Sequence, residues 1–111
     1  MSRRKGVIAI ITKDGKILMG KKKHKPGHFL SDKWHFPGGK AEEGESFEEA
    51  LIREMSEELS VKLIILGKIV EYEYHFGEHI GDSCIFHCTK DEAPVAGDDL
   101  VEINWFDYAG I

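Results

Sequence analysis

Glu54, Glu57 and Glu58 fall within about one and a half turns of a helix, in the run Arg53-Glu54-Met55-Ser56-Glu57-Glu58-Leu59. Three carboxylates that close repel one another unless a cation sits between them. Oxygen-only donors suit a hard dication. The segment from Gly39 to Val61, a glycine turn leading into this helix, is therefore a candidate divalent-metal site and a candidate for phosphate chemistry.

The helix that must present these groups is well signposted. Ser46 stands three residues before Glu49, a capping box, and predicts a helix from Phe47 to about Leu59. Phe47, Ala50, Leu51, Met55 and Leu59 form one broad apolar side, with Glu49, Arg53, Ser56 and Ser60 opposite. Glu54 and Glu58 project within the apolar arc and Glu57 lies at its edge. The helix thus aims carboxylates at the protein body, where lone charges are expensive.

Strands are expected on both sides of it. Val7 to Ile11 is β-branched, Asp14-Gly15 marks a hairpin, and Lys16 to Lys21 returns. Lys22 to Lys33 reads as a loop, and Trp34-His35-Phe36 as a short strand stopped by Pro37-Gly38-Gly39, with Lys40 to Glu45 as a loop. Val61 to Leu66 and Ile69 to Phe76 are β-rich runs broken at Gly67, followed by a turn over Gly77 to Gly81. Asp82 to Thr89 is a strand, Lys90 to Asp99 a loop, and Val101 to Phe106 the last strand. This pattern predicts an α/β domain with a mixed sheet.

At 111 residues the chain is read as one domain, 1–111, large enough for one core. A net charge of −5, from 15 basic and 20 acidic residues, argues against a nonspecific binder of nucleic-acid polymers. Lys21, Lys22, Lys23, Lys25, Lys33 and Lys40 still leave room for a local anion site. Cys84 and Cys88 would share a strand face about 13 Å apart, too far for a disulfide. They read as reduced thiols of a cytoplasmic protein. Neither a signal peptide nor a membrane span is visible.

The ordered run Gly39, Glu45, Arg53-Glu54-Met55, Glu57-Glu58 and Ser60-Val61 resembles the Nudix box, G-x5-E-x7-R-E-U-x-E-E-x-G-U with U a bulky apolar residue. Ser60 stands where the pattern has glycine. Trp34 to Lys40 resembles the entry to the box in the MutT-like branch. The resemblance implies an α/β/α sandwich with a mixed sheet and a C-terminal helix over the second sheet face. The chain ends after Trp105-Phe106-Asp107-Tyr108-Ala109-Gly110-Ile111, where that helix is expected to begin, so the helix is taken as missing or truncated. A homodimer would cover the apolar surface left bare.

The resemblance also implies Mg²⁺- or Mn²⁺-dependent hydrolysis of a nucleoside diphosphate linked to another moiety. Glu57 and Glu58 are then expected metal ligands, and Glu54 a ligand or the base that activates water. The Gly38 carbonyl is a further expected ligand. Arg53 would orient the carboxylates, which places it with Glu54 and Glu57 as catalytic. Gly39 and Glu45 would support the loop, and Lys40 would contact a phosphate. A late-loop acid is sought among Asp98, Asp99 and Glu102. The expected substrate is a small nucleotide, foremost a nucleoside triphosphate cleaved to monophosphate and pyrophosphate, 8-oxo-dGTP included. Alternatives are ADP-ribose, dinucleoside polyphosphates, and nucleotide sensing without turnover. Phe76-Gly77 stands where ADP-ribose hydrolases often carry proline, and Tyr72 and Tyr74 lie off the tyrosine placement of dinucleoside polyphosphate hydrolases. His35 occupies a position where MutT-like relatives commonly have glutamate.

Overall fold

The computed structural model of the chain describes residues 3–24, 26–27, 33–91, 93–97 and 100–107. Strand β1 (Arg4–Lys13) is the spine. Its β-branched residues alternate, with Val7, Ala9 and Ile11 buried and Ile8, Ile10 and Thr12 half-buried on the other side. The turn after it holds Asp14 at φ 51 and Gly15 at φ 77, the two positive angles a tight hairpin needs. The chain returns as β2 (Lys16–Lys22), then β3 (Trp34–His35) and β4 (Gly38–Lys40). Helix α1 (Phe47–Leu59) follows, then β5 (Leu63–Phe76), β6 (His79–Lys90) and β7 (Leu100–Asp107).

The strands run in the order β3-β2-β1-β6-β5, with β4 also on β1 and β7 also on β2. β1 and β6 are parallel from Arg4 opposite Gly81 to Ile11 opposite Cys88. The other pairings are antiparallel. This is the mixed sheet that the sequence predicts. The helix buries Ala50, Leu51, Met55 and Leu59 in one cluster with Val7, Ala9, Ile11, Cys84, Phe86 and Cys88. Each fully buried Leu or Ile there contributes about 1.5–3 kcal/mol. Cys84 and Cys88 are free and buried. Burial pushes the Cys88 thiol up to about 12 and raises that of Cys84, so both are poor nucleophiles.

Three boundaries differ from expectation. Gly38 to Lys40 is a strand paired with Ile8 to Gly6, not a stop followed by a loop. A Cβ on Gly38 would collide with the Val7 carbonyl oxygen, and neither Gly38 nor Gly39 has a positive φ. The glycines serve close backbone approach, not turning. β5 does not break at Gly67. It runs on against β6 with register shifts between Ile65 and Gly67 and between Lys68 and Val70, and these bulges absorb the glycine. The turn into β6 shortens to Gly77-Glu78.

Candidate active site

The capping box fixes where α1 starts. Ser46 N–H donates to Glu49 Oε1 at 3.0 Å, and Glu49 N–H to Ser46 Oγ at 3.1 Å. The helix ends at Ser60, which adopts the left-handed conformation (φ 55, ψ 37) and donates its N–H to the Ser56 carbonyl. Between these ends Glu54 faces β4. A Cβ on Gly39 would lie 2.6 Å from Glu54 Oε2 and overlap its carboxyl carbon. Only glycine leaves that carboxylate its place. Glu58 is buried at 8% exposure, whereas half of the Glu57 side chain is exposed. These placements follow the helical arc read from the sequence.

Arg53 departs from that arc. The wheel puts it on the solvated side, but its side chain folds over the 41–45 loop and is only 25% exposed. Its guanidinium donates from Nε to Glu45 Oε2 at 2.8 Å and from Nη2 to Glu45 Oε1 at 2.9 Å. Nη2 also donates to the Lys40 carbonyl at 3.0 Å. Nη1 donates to Glu54 Oε1 at 3.0 Å and stands 3.4 Å from both oxygens of Glu57. The planar fork thus binds strand, loop and helix at once. The Arg53 hydrogen bonds, helped by the Glu42 N–H, hold the Glu45 carboxyl down to about 2. Glu45 in turn, and Glu54 after it, raise the basicity of Arg53.

The other expected residues divide. Lys40 gives its carbonyl to Arg53 while its side chain is exposed. Gly38 pairs with Ile8 in the ladder. Asp98 and Asp99 lie outside the described residues. The segment before them is fastened to the end of α1, with Val95 N–H on the Leu59 carbonyl at 2.9 Å and Gly97 N–H on the Glu58 carbonyl at 2.8 Å. Glu102 sits within β7 opposite Lys21, exposed, and no hydrogen bond among the described residues joins it to Glu54 or Glu57. The sequence reading missed the Lys40 carbonyl and Glu42, whose N–H donates to Glu45 Oε1 at 2.7 Å. Backbone groups leave no compositional signal. A cavity of about 260 Å³ between the first turn of α1 and β5, lined by Phe47, Ile65, Lys68 and Phe86, contains none of the three helix glutamates.

The donor set fits a hard dication, being all oxygen, and the Gly39 cradle is shaped for a carboxylate. Glu54, Glu57 and Glu58 are the residues that would hold it. Among the described residues, however, no three acidic, histidine or cysteine side chains stand together around one point. Glu54 and Glu57 are instead turned to Arg53.

Known proteins resemble this chain in sequence and in fold. The chain is 33% identical over 102 residues to a Danio rerio protein named oxidized purine nucleoside triphosphate hydrolase, covering 90% of this chain and 64% of that one. It is 43% identical over 58 residues to an 8-oxo-dGTP diphosphatase of Buchnera aphidicola, covering 52% of this chain and 43% of that one. The chain therefore spans less than two thirds of either relative. Among solved structures, the E. coli ORF135 protein superimposes with a TM-score of 0.80 at 28% identity, covering 96% of this chain and 75% of that one. The family model described as the NUDIX domain matches residues 2–111. A box whose arginine ties loop, strand and helix together, on a sheet of this topology and under a match that runs nearly end to end, makes the chain a member of the Nudix family.

Proposed function

We propose that the chain is a Mg²⁺-dependent hydrolase of pyrophosphate links, acting on a nucleoside triphosphate to give the monophosphate and pyrophosphate. The observation that carries this reading is the Glu54 carboxylate, seated on Gly39 and held at 3.0 Å by Arg53 Nη1. A general base must be fixed in position, and here a glycine and a guanidinium fix it. Glu54 takes a proton from water as the water oxygen bonds to phosphorus. The P–O bond bridging the α- and β-phosphoryl groups breaks, and its electron pair leaves with the half of the substrate that was not attacked, pyrophosphate for attack at the α-phosphorus and the monophosphate for attack at the β-phosphorus. Glu57 and Glu58 hold the metal; bound Mg²⁺ supplies neutralised phosphate charge and an oriented water. Arg53 keeps Glu54 aligned, and Lys40, exposed beside the site, meets a phosphate oxygen.

Both relatives are named for oxidised purine nucleotides, which supports that substrate class and 8-oxo-dGTP within it. Asp98 or Asp99, next to the segment tied to Glu58, would supply a late-loop acid. The acidic net charge supports a small nucleotide over a polymer. Steady-state kinetics on 8-oxo-dGTP, dGTP, CTP and ADP-ribose test the assignment. The highest kcat/KM is expected on a triphosphate. Turnover of ADP-ribose alone would move the substrate class, and binding of a triphosphate with no turnover would establish a sensor.

A further inference from the structure

Strand β5 ends the sheet: among the described residues it pairs with β6 on one side only. Such an edge presents a row of unpaired N–H and C=O groups. Five of the nine large apolar side chains exposed among the described residues lie on it, Ile64, Leu66, Ile69, Val70 and Tyr72. Single exposed apolar residues are ordinary, but a contiguous set marks an interaction surface. The two bulges add to it. Ile65 stands opposite Cys88 and Gly67 opposite His87, so Leu66 is the extra residue of the first bulge. Lys68 stands opposite Phe86 and Val70 opposite Ile85, so Ile69 is the extra residue of the second. Both extra residues are 56% exposed. Bulges and charged side chains on an edge turn foreign strands away. An occupant must therefore match this edge residue by residue.

The edge matches itself. Every residue from Gly67 to Tyr72 is exposed. Laid antiparallel on a second copy, about a two-fold axis between Ile69 and Val70, each of them meets a complement. Ile69 faces Val70 of the second copy, apolar against apolar. Lys68 faces Glu71 of the second copy. These two stand opposite Phe86 and Cys84 and so share the sheet face that carries α1, which lets the charges meet across the axis on one face. Within one copy they are paired at 3.2 Å, each about half exposed, so each has room for another partner. Gly67 faces Tyr72 of the second copy, both on the other sheet face, opposite His87 and Ser83. A Cβ on Gly67 would meet nothing within 4 Å, so a ring has space to lie over it, and an aromatic beside an edge glycine stabilises a sheet. Moving the axis by half a residue sets Lys68 against Val70 or Ile69 against Glu71, charge on apolar. The register is thus fixed by the side chains themselves.

We propose that the chain forms a two-fold homodimer through its β5 edges, with Gly67 to Tyr72 antiparallel to the same residues of a second copy. This surface is the end of the sheet, not the sheet face expected from the sequence to lie bare, and it is independent of the nucleotide reading. A strip of this size is smaller than a standard interface, so a dissociation constant on the order of 10 μM is expected. The test is sedimentation velocity of the full chain from about 1 to about 500 μM, a range that brackets that constant. Wild type is expected to pass from monomer to dimer across it. Lys68→Glu sets glutamate against glutamate across the axis, and Glu71→Lys sets lysine against lysine. Each is expected to weaken association about tenfold or more. An equimolar mixture of the two variants is expected to form a heterodimer at near wild-type affinity, because opposite charges then meet at both ends of the axis. The pair within one copy stays broken in both variants, so its loss cannot produce that recovery. In wild type, amide exchange over residues 67–72 is expected to slow as concentration rises, a readout that needs no variant. A wild type that stays monomeric overturns the proposal. So does a dimer that persists in both single variants, which would use another surface. A mixture as monomeric as its parts, or exchange over 67–72 that ignores concentration, overturns it as well.

Discussion

Gly39 and Glu54 compete for the same space, so the smallest possible substitution is informative. Gly39→Ala is expected to lower kcat by about 100-fold or more, because displacing a reacting group by an ångström costs that much. Circular dichroism should show the helix intact, and wild-type turnover in this variant would remove Glu54 from the mechanism. The Arg53–Glu45 pair makes a separate prediction about acid. Glu45 titrates at about 2 in the folded chain against 4.5 for a free glutamate, a depressed value. Its contribution to stability is therefore full above about 4.5 and drains away as pH falls from there to about 2. The Tm gap between wild type and Glu45→Gln should be constant above pH 5 and narrow below 4.5; a gap that widens with acid would contradict the sign. At this scale the sequence was legible for Glu54 and Glu58, whose inward direction follows from Cα positions. It was not legible for Arg53, because a long side chain can leave the face its Cα occupies.

Helix α1 was readable to both ends because capping boxes and apolar periodicity are local signals. Its exit carries a residual strain. Ser60 holds a left-handed conformation that a Cβ disfavours, so Ser60→Gly is expected to stabilise the fold by about 0.5–1 kcal/mol after allowing for the greater freedom of glycine in the unfolded chain. Chemical denaturation should show a raised midpoint at unchanged slope, and a lowered midpoint would mean the serine hydroxyl matters more than the backbone angle. β4 and the unbroken β5 escaped the sequence for a common reason. Gly38, Gly39 and Gly67 carry no strand propensity, and their conformations are set by partners distant in the chain, β1 and β6. A glycine can mark a turn, a close approach or a bulge, and the sequence alone does not say which.

For the molecule as a whole, the core cluster that includes Val7, Ile11, Leu51, Met55 and Cys88 is built from apolar and thiol side chains and contains none of the three helix glutamates. Chelation is therefore expected to abolish turnover while leaving far-ultraviolet circular dichroism unchanged; unfolding on chelation would assign the metal a structural role. None of the helices in the described residues is long and apolar enough to cross a membrane. The central claim is that the α1 carboxylates act through a dication on a pyrophosphate link. Its most direct test is pyrophosphate release from 8-oxo-dGTP as Mg²⁺ is titrated, with Glu57→Gln run beside wild type. Wild type is expected to show saturable Mg²⁺ dependence, and Glu57→Gln a loss of about 100-fold or more with a higher Mg²⁺ requirement. Turnover that is indifferent both to Mg²⁺ and to Glu57→Gln would contradict it.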